Sequence, residues 1–513
     1  MEKLRLRLKE IINSERLVIW RPYLIFFLVA FLLFGQTLFF KQTNFDDNIL
    51  VDKQEIFSNL KNIPTIFVSD AFFSVNKVYY RPILNLSYLL DASFSNSSLF
   101  VYHLGNILIH ILAVCLIFFF LKKITKQPIL SFVFSLFFLI HPALVQAVAW
   151  LPGRNDSLLT IFVLAAVLFF IRFTQEKHLP SFIAYFVFLL LALLTKEVAI
   201  FLPLILVAYT LTIGRRDKLE KTDKLFLILG SGLALFIWFI MRALALEGGA
   251  PADLSLIINN LPQAFIMAFK MSAQAILPLS LAVISGQNVS YIPSLIIIPV
   301  FALALIRSKQ RRNGHVLFGL FWFLLFFFIP FLLSDASAYL NHRLYLPLIG
   351  VLIMLGEIDW LKNLDWQKKS VKAVTAILFT LTFLFSFQYS ANFKDALSFW
   401  QSAVNRSPES ALAHNNLGSV YSEQNNLEAA GREYSKALEI NPVQRMAHYN
   451  LGIIYLKQNN LIGAQKELER EVSINPSFYQ AWLALGDVYQ QEGKSVEAEQ
   501  SWQNAKILND ENY

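Results

Sequence analysis

Runs of roughly 20 apolar residues recur from residue 23 to about 390, and each is long enough to cross a bilayer as a helix. Backbone amides in lipid must be satisfied within the segment, so such a run folds as a helix or not at all. Over the 513 residues, 56% are hydrophobic, 48 are Phe and only 16% are charged. Soluble domains carry about 25% charged residues. From about residue 392 the composition changes abruptly to Asn, Gln, Glu, Ala and Lys with short amphipathic periods, which marks a second, water-soluble domain. The expected fold is therefore all-α: a polytopic transmembrane helical bundle of about 11 spans, then an α-solenoid.

Basic loops orient the spans. Residues 1–21 are amphipathic and carry Lys3, Arg5, Arg7, Lys9, Arg16 and Arg21, which places the amino terminus in the cytoplasm. The first apolar run is long and lacks a small-residue cleavage site, so it reads as a retained anchor. A first helix over 22–40 leads to an external loop over 41–100. Further helices are expected over 101–121, 128–141, 156–173, 180–194, 198–213 and 224–245. The segment 262–283, broken by Lys270 and Pro278, reads as a re-entrant or interfacial helix on the outer face. Helices over 290–306, 315–333, 344–359 and 371–390 follow. The net charge of +8 belongs to these short loops and does not indicate nucleic-acid binding. Cys115, the only cysteine, excludes intrachain disulfides and a Cys-based metal site.

The carboxy-terminal domain repeats. Leu417-Gly418, Leu451-Gly452 and Leu485-Gly486 fall in phase with Tyr421, Tyr455 and Tyr489, and with Ala430, Ala464 and Ala498. Asn441-Pro442 and Asn475-Pro476 close the first two units. This resembles the tetratricopeptide repeat, a helix pair of about 34 residues. Units are expected over 411–444, 445–478 and 479–512. A half repeat over 392–408 carries Ala396, Trp400, Ala403 and Pro408 in the same phase. Such arrays present a concave face to an extended peptide or partner protein.

Polar residues in the membrane domain thread to one side. Asp46 and Asp47 follow the first helix, where a carboxylate near low dielectric becomes a better base. Alternatively they are a solvated loop pair. Tyr79-Tyr80-Arg81-Pro82 offers a phosphate clamp or an interfacial, snorkelling Arg. His103, Asn106 and His110 share one helix face, as polar packing or substrate lining. His141, Gln146, Trp150, Arg154 and Asp156 crowd one apolar stretch, in which Arg154 and Asp156 need a partner or a ligand. Lys196-Glu197 and Asn341-His342-Arg343 add charge on the same side. Together they outline a cavity with two carboxylates and several cations, suited to a substrate carrying a phosphate and a sugar.

Taken in order, several pieces resemble the transmembrane and tetratricopeptide-repeat O-mannosyltransferases of the GT-C superfamily, in a short, prokaryote-like form. They are Phe45-Asp46-Asp47, Tyr80-Arg81-Pro82, Tyr102-His103, His141-Pro142, Ala147-Val148-Ala149-Trp150, Gly153-Arg154-Asn155-Asp156, Lys196-Glu197 and Arg343-Leu344-Tyr345-Leu346-Pro347. His342 departs from the pattern, which has an acidic residue there. The resemblance implies a catalytic domain over 22–391 and a repeat domain over 392–513. It implies a multi-pass inner- or plasma-membrane enzyme with its repeats outside the cytoplasm. The activity implied is transfer of a sugar, mannose by the resemblance, from a polyprenyl-phosphate donor to protein Ser/Thr on the non-cytoplasmic face, with inversion. Asp46 or Asp47 then serves the acceptor hydroxyl. Arg81, His103, His141, Arg154, Asp156, Lys196, Glu197 and Arg343 are candidates for the donor phosphate and the pocket.

Two matters stay open at this level. Adjacent carboxylates at Asp46 and Asp47 also suit Mg²⁺ or Mn²⁺ through oxygen ligands, and a metal-free base is equally compatible. The alternative to an enzyme is a membrane-anchored repeat scaffold for envelope assembly. It accounts for the repeats but not for Asp46-Asp47, Arg154-Asp156 or Lys196-Glu197.

Overall fold

A computed structural model describes residues 15–73, 77–94, 98–214, 219–247, 254–278, 281–284, 290–332 and 340–510. The basic residues Lys3, Arg5, Arg7 and Lys9 and the loop 215–218 lie outside them. Every regular element among the described residues is a helix. The chain divides into two units, one of residues 1–281 and 289–394, the other of 282–288 and 395–513.

Among the described residues of the first unit, five helices are long and apolar enough to cross a membrane: Trp20–Phe39, Leu99–Thr125, Leu151–Glu176, Lys221–Ala245 and Lys369–Phe393. A sixth span arises if Pro128–Leu139 and Pro142–Ala149, bent by 52°, are taken as one. Shorter apolar helices cover Leu179–Thr195, Glu197–Thr212, Ile292–Arg307 and Asn313–Phe328. The expected eleven full spans therefore do not all appear as long helices. Proline is the local reason. Pro82, Pro128, Pro142, Pro180, Pro203 and Pro293 each sit in the first turn of a helix, where the missing N–H costs nothing and the ring stops any helix arriving from upstream.

Two expected helices are redrawn. The helix over 344–359 shortens to Leu348–Leu355, between Pro347 and Gly356. The preceding Asn341–Leu344 is a separate 3-10 turn. The helix over 128–141 stops at Leu139, and the polar stretch beyond it folds into three short turns, Pro142–Leu144, Gln146–Ala149 and Leu151–Gly153. In the segment 262–283, the helix Leu254–Ser272 runs into the 3-10 turn Ala273–Ala275.

The loop 41–100 is a packed structure. Short helices Ile49–Asp52, Gln54–Phe57 and Ile63–Phe67 close over Pro82–Ser93. Leu50, Phe57, Ile66, Tyr88 and Leu89 bury against Tyr102, Leu151 and Leu158. Full burial of each such side chain contributes about 1.5–3 kcal/mol, enough to fix the loop on the helix ends beneath it.

The second unit is an array of helix pairs: Ala411–Glu423 with Leu427–Ile440, Ala447–Lys457 with Leu461–Ile474, and Tyr479–Gln491 with Ser495–Asp510. The helix Ala396–Arg406 precedes them. Between the helices of each pair the chain takes positive φ at Asn425, Asn459 and Gly493, at the same place in each repeat. Asn and Gly are the residues that accept this left-handed turn cheaply. Asn426 and Asn460 then cap the second helices by accepting from Ala429 N and Gly463 N.

Candidate active site

The site is built where the first long helix ends. Past Phe39 the chain turns, and the carboxylate of Asp47 folds back into it. Asp47 Oδ2 accepts from Thr43 N at 2.8 Å and Thr43 Oγ1 at 2.9 Å, and Oδ1 accepts from Phe45 N at 3.2 Å. Asp47 is 1% exposed. Burial outweighs these bonds and pushes its pKa up to about 6. Asp46, in the left-handed region at φ 63°, points the other way. It is exposed, and no described residue hydrogen-bonds its carboxylate. The protein massed around it still raises its pKa, and the nearby Arg81 guanidinium opposes that shift. The two carboxylates that look alike in sequence thus differ: one holds the turn, and the other has free oxygens.

Asp70 accepts from Phe72 N and Tyr79 N, both at 2.9 Å. Arg81 then pairs with Glu197 at 3.2 Å, and Glu197 also accepts from Tyr80 N. Lys196 donates to both oxygens of Asp156 at 2.8 Å. Asp156, Lys196 and Arg343 line one narrow cleft with Leu159, Val198, Phe326, Leu346 and Pro347. His342 brings Nε2 to 3.5 Å from Asp156. Burial, and then the neighbouring Lys196, Arg343 and Arg81, hold the His342 pKa well below its ordinary value. Phe45, Trp150 and His342 stand in series, with ring centroids 5.5 Å apart at each step, and Trp150 Nε1 donates to the Phe45 carbonyl at 2.9 Å. This series links the Asp46 turn to the cationic cleft.

The remaining candidates sit elsewhere. Arg154 is wholly buried and fully engaged: it pairs with Asp91, donates to Asn106 Oδ1, Tyr102 O and Ser87, and lies over the Tyr88 ring. It is spent on the fold and does not line the cleft. His103 packs against Phe40, and neither of its ring nitrogens has a described hydrogen-bond partner. His110 bonds Tyr345 OH and Leu139 O. His141 caps the turn Pro142–Leu144 by accepting from Ala143 N at 3.2 Å. Sequence reasoning missed Asp91, the partner of Arg154, and Gln274. Asp91 carries a signal, a lone carboxylate in an otherwise apolar helix; Gln274 carries none.

Among the described residues no group of three or more His, Cys, Asp or Glu side chains gathers to hold a metal ion. With Asp47 committed to Thr43 and Phe45, Asp46 is the one carboxylate of the pair with oxygens to offer.

Residues 83–241 match the family described as dolichyl-phosphate-mannose-protein mannosyltransferase. Residues 418–459 and 449–510 match tetratricopeptide-repeat families. The chain is 24% identical over 393 residues to the protein O-mannosyl-transferase F38B6.6 of Caenorhabditis elegans, over 70% of this chain and 54% of that one. It is 33% identical over 119 residues to protein O-mannosyl-transferase TMTC1 of Homo sapiens, over 22% of this chain and 13% of that one. The chain spans about half the length of the first of these curated relatives and 13% of the second. The crystal structure of MamA aligns at 25% identity and a TM-score of 0.22, covering 28% of this chain and 85% of that one. With a mannosyltransferase-type membrane segment followed in one chain by tetratricopeptide repeats, the protein is similar to the transmembrane and tetratricopeptide-repeat O-mannosyltransferases.

Proposed function

We propose that this protein transfers a mannosyl group from a polyprenyl-phosphate donor to a protein hydroxyl on the non-cytoplasmic face of the membrane. The observation that carries the reading is the exposed Asp46 carboxylate within reach of the Arg81 charge, with Arg81 paired to Glu197 and near the Lys196–Asp156 pair. Asp46 takes the proton of the acceptor hydroxyl. The acceptor oxygen bonds to the anomeric carbon as the bond from that carbon to the phosphate oxygen breaks. Polyprenyl phosphate leaves with the electron pair, and Lys196 and Arg343 stabilise the charge that develops on it. One displacement inverts the anomeric centre.

The helix Leu99–Thr125 supports this choice of face. Its 27 residues span about 40 Å, more than the hydrocarbon thickness. Tyr102 and His103 lie toward one end, and Lys122, Lys123 and the left-handed cap Lys126 lie at the other. Arg312 and Lys362 join that basic end by closing on Glu357. Basic residues favour the cytoplasm, which supports a site on the opposite face. The repeat array, on this reading, presents the acceptor polypeptide. The test is release of polyprenyl phosphate by the purified protein given polyprenyl-phosphate mannose and acceptor peptides. Release that Asp46→Asn abolishes supports the reading; no release from any donor sugar rejects it.

A further inference from the structure

Three 3-10 turns of the membrane unit bring buried polar side chains together, and two of these side chains hold unmet atoms. His141 is satisfied: Nδ1 accepts from Ala143 N, and its ring hydrogen-bonds the Ala275 backbone. Gln274 is 3% exposed, and neither end of its amide has one. His342 is 4% exposed and turns Nε2 to Asp156, and its Nδ1 has none. The turns adjoin. Pro142–Leu144 packs on Asn341–Leu344. The backbone of Ala275, next to Gln274, lies beside the His141 ring. A buried donor or acceptor left unmade destabilises a fold, and native folds tolerate few. Three such atoms in one region call for an occupant.

Their chemistry selects it. A carboxamide and a neutral imidazole each donate and accept, as a hydroxyl does. A phosphate only accepts, and it is answered by the cations Lys196 and Arg343 a few residues away. Trp150, with its ring 5.5 Å from that of His342, offers an apolar face beside the polar atoms. We infer that Gln274 and His342 bind the hydroxyls of the donor sugar, with Trp150 against its ring, so that the protein prefers glycosylated to bare polyprenyl phosphate. This rests on the transferase reading above. The orientation of His342 by Asp156 ties the sugar site to the phosphate site.

The experiment compares equilibrium binding of polyprenyl-phosphate mannose and bare polyprenyl phosphate by the purified full chain. The wild type is expected to bind the glycosylated lipid more tightly. His342→Ala and Gln274→Ala should each cut that preference by about 3- to 10-fold, the worth of one hydrogen bond, while affinity for the bare lipid stays within about twofold. His342→Gln, which keeps an acceptor, should retain part of the preference. Lys196→Ala should weaken both lipids together. An undiminished preference in both alanine variants overturns the inference and leaves these atoms to buried water. So does a wild type that binds both lipids equally. A wild type that binds neither lipid rejects the transferase reading itself.

Discussion

The Asp47 carboxylate closes on Thr43, taking its N–H at 2.8 Å and its hydroxyl at 2.9 Å, and so leaves Asp46 turned outward with its oxygens free. The adjacent acids should therefore fail differently. Asp46→Asn should lower transfer by about 10²–10⁴-fold, the usual worth of a general base, with thermal unfolding unchanged. Asp47→Ala strands the Thr43 and Phe45 amides and should cost about 1–3 kcal/mol of stability. Activity and unfolding measured on both variants check the assignment, and an active Asp46→Asn would sink it.

The pH dependence follows from the same turn. Asp46 must be ionised to accept a proton, and burial raises its pKa while Arg81 opposes the rise. Transfer should rise with pH along a one-proton limb placed above the ordinary Asp value of about 3.9. Removing the opposing charge with Arg81→Gln should move that limb further up. A pH–rate profile of kcat for both proteins decides; a limb that does not move would separate Arg81 from the base.

Arg154 should behave as a framework residue. Arg154→Ala leaves Asp91 without its partner and should cost about 3–5 kcal/mol, read as unfolding in detergent. Gly105 gives a second handle. A Cβ there would sit 2.6 Å from Asp91 Oδ2 and 2.7 Å from Arg154 Nη2. Gly105→Ala should destabilise through the same pair. If the folded fraction of Arg154→Ala lost donor binding selectively, the framework role would be wrong.

In the repeat array, His448 faces two acceptors, donating to Glu467 at 2.6 Å and to the Pro442 carbonyl at 3.0 Å. His414 repeats the arrangement with Glu433 and Pro408, and Trp482 keeps the bond to Pro476 without the acid. Two acceptors facing both nitrogens favour the imidazolium. Burial works against the charge, but Glu467 and the carbonyl prevail and raise the His448 pKa. That stabilisation is full below the unfolded value of about 6.5 and is lost as pH rises through the higher folded value. Hydrogen-exchange protection of Ala447–Lys457, corrected for intrinsic rate, should fall over that range. His448→Gln should flatten the response.

Much of the architecture was legible in the sequence. Apolar runs, and the spacing of Leu-Gly, Tyr, Ala and Asn-Pro, give an all-helical membrane unit and a helix-pair array because hydropathy and repeat period report local structure directly. The count of full spans was not legible in that way. Hydropathy extends the helix around Leu348–Leu355 at both ends, where Pro347 and Gly356 bound it, and it does not report the three short turns into which 142–153 folds. The left-handed positions Asn425, Asn459 and Gly493 recur in the sequence too, but the third is Gly where the first two are Asn, and so they escape a search for identical columns.

The sequence alone determined which residues are candidates for the chemistry: an acidic pair after the first helix, and arginine, lysine and histidine gathered at one end of the spans. It could not rank them, because a side chain's task depends on what packs around it. Only the tertiary structure turned Asp47 inward to Thr43, committed Arg154 to Asp91, and set Lys196 on Asp156. The last two outcomes, like the pairing of Arg81 with Glu197, depend on contacts between residues tens of positions apart, which no local pattern encodes.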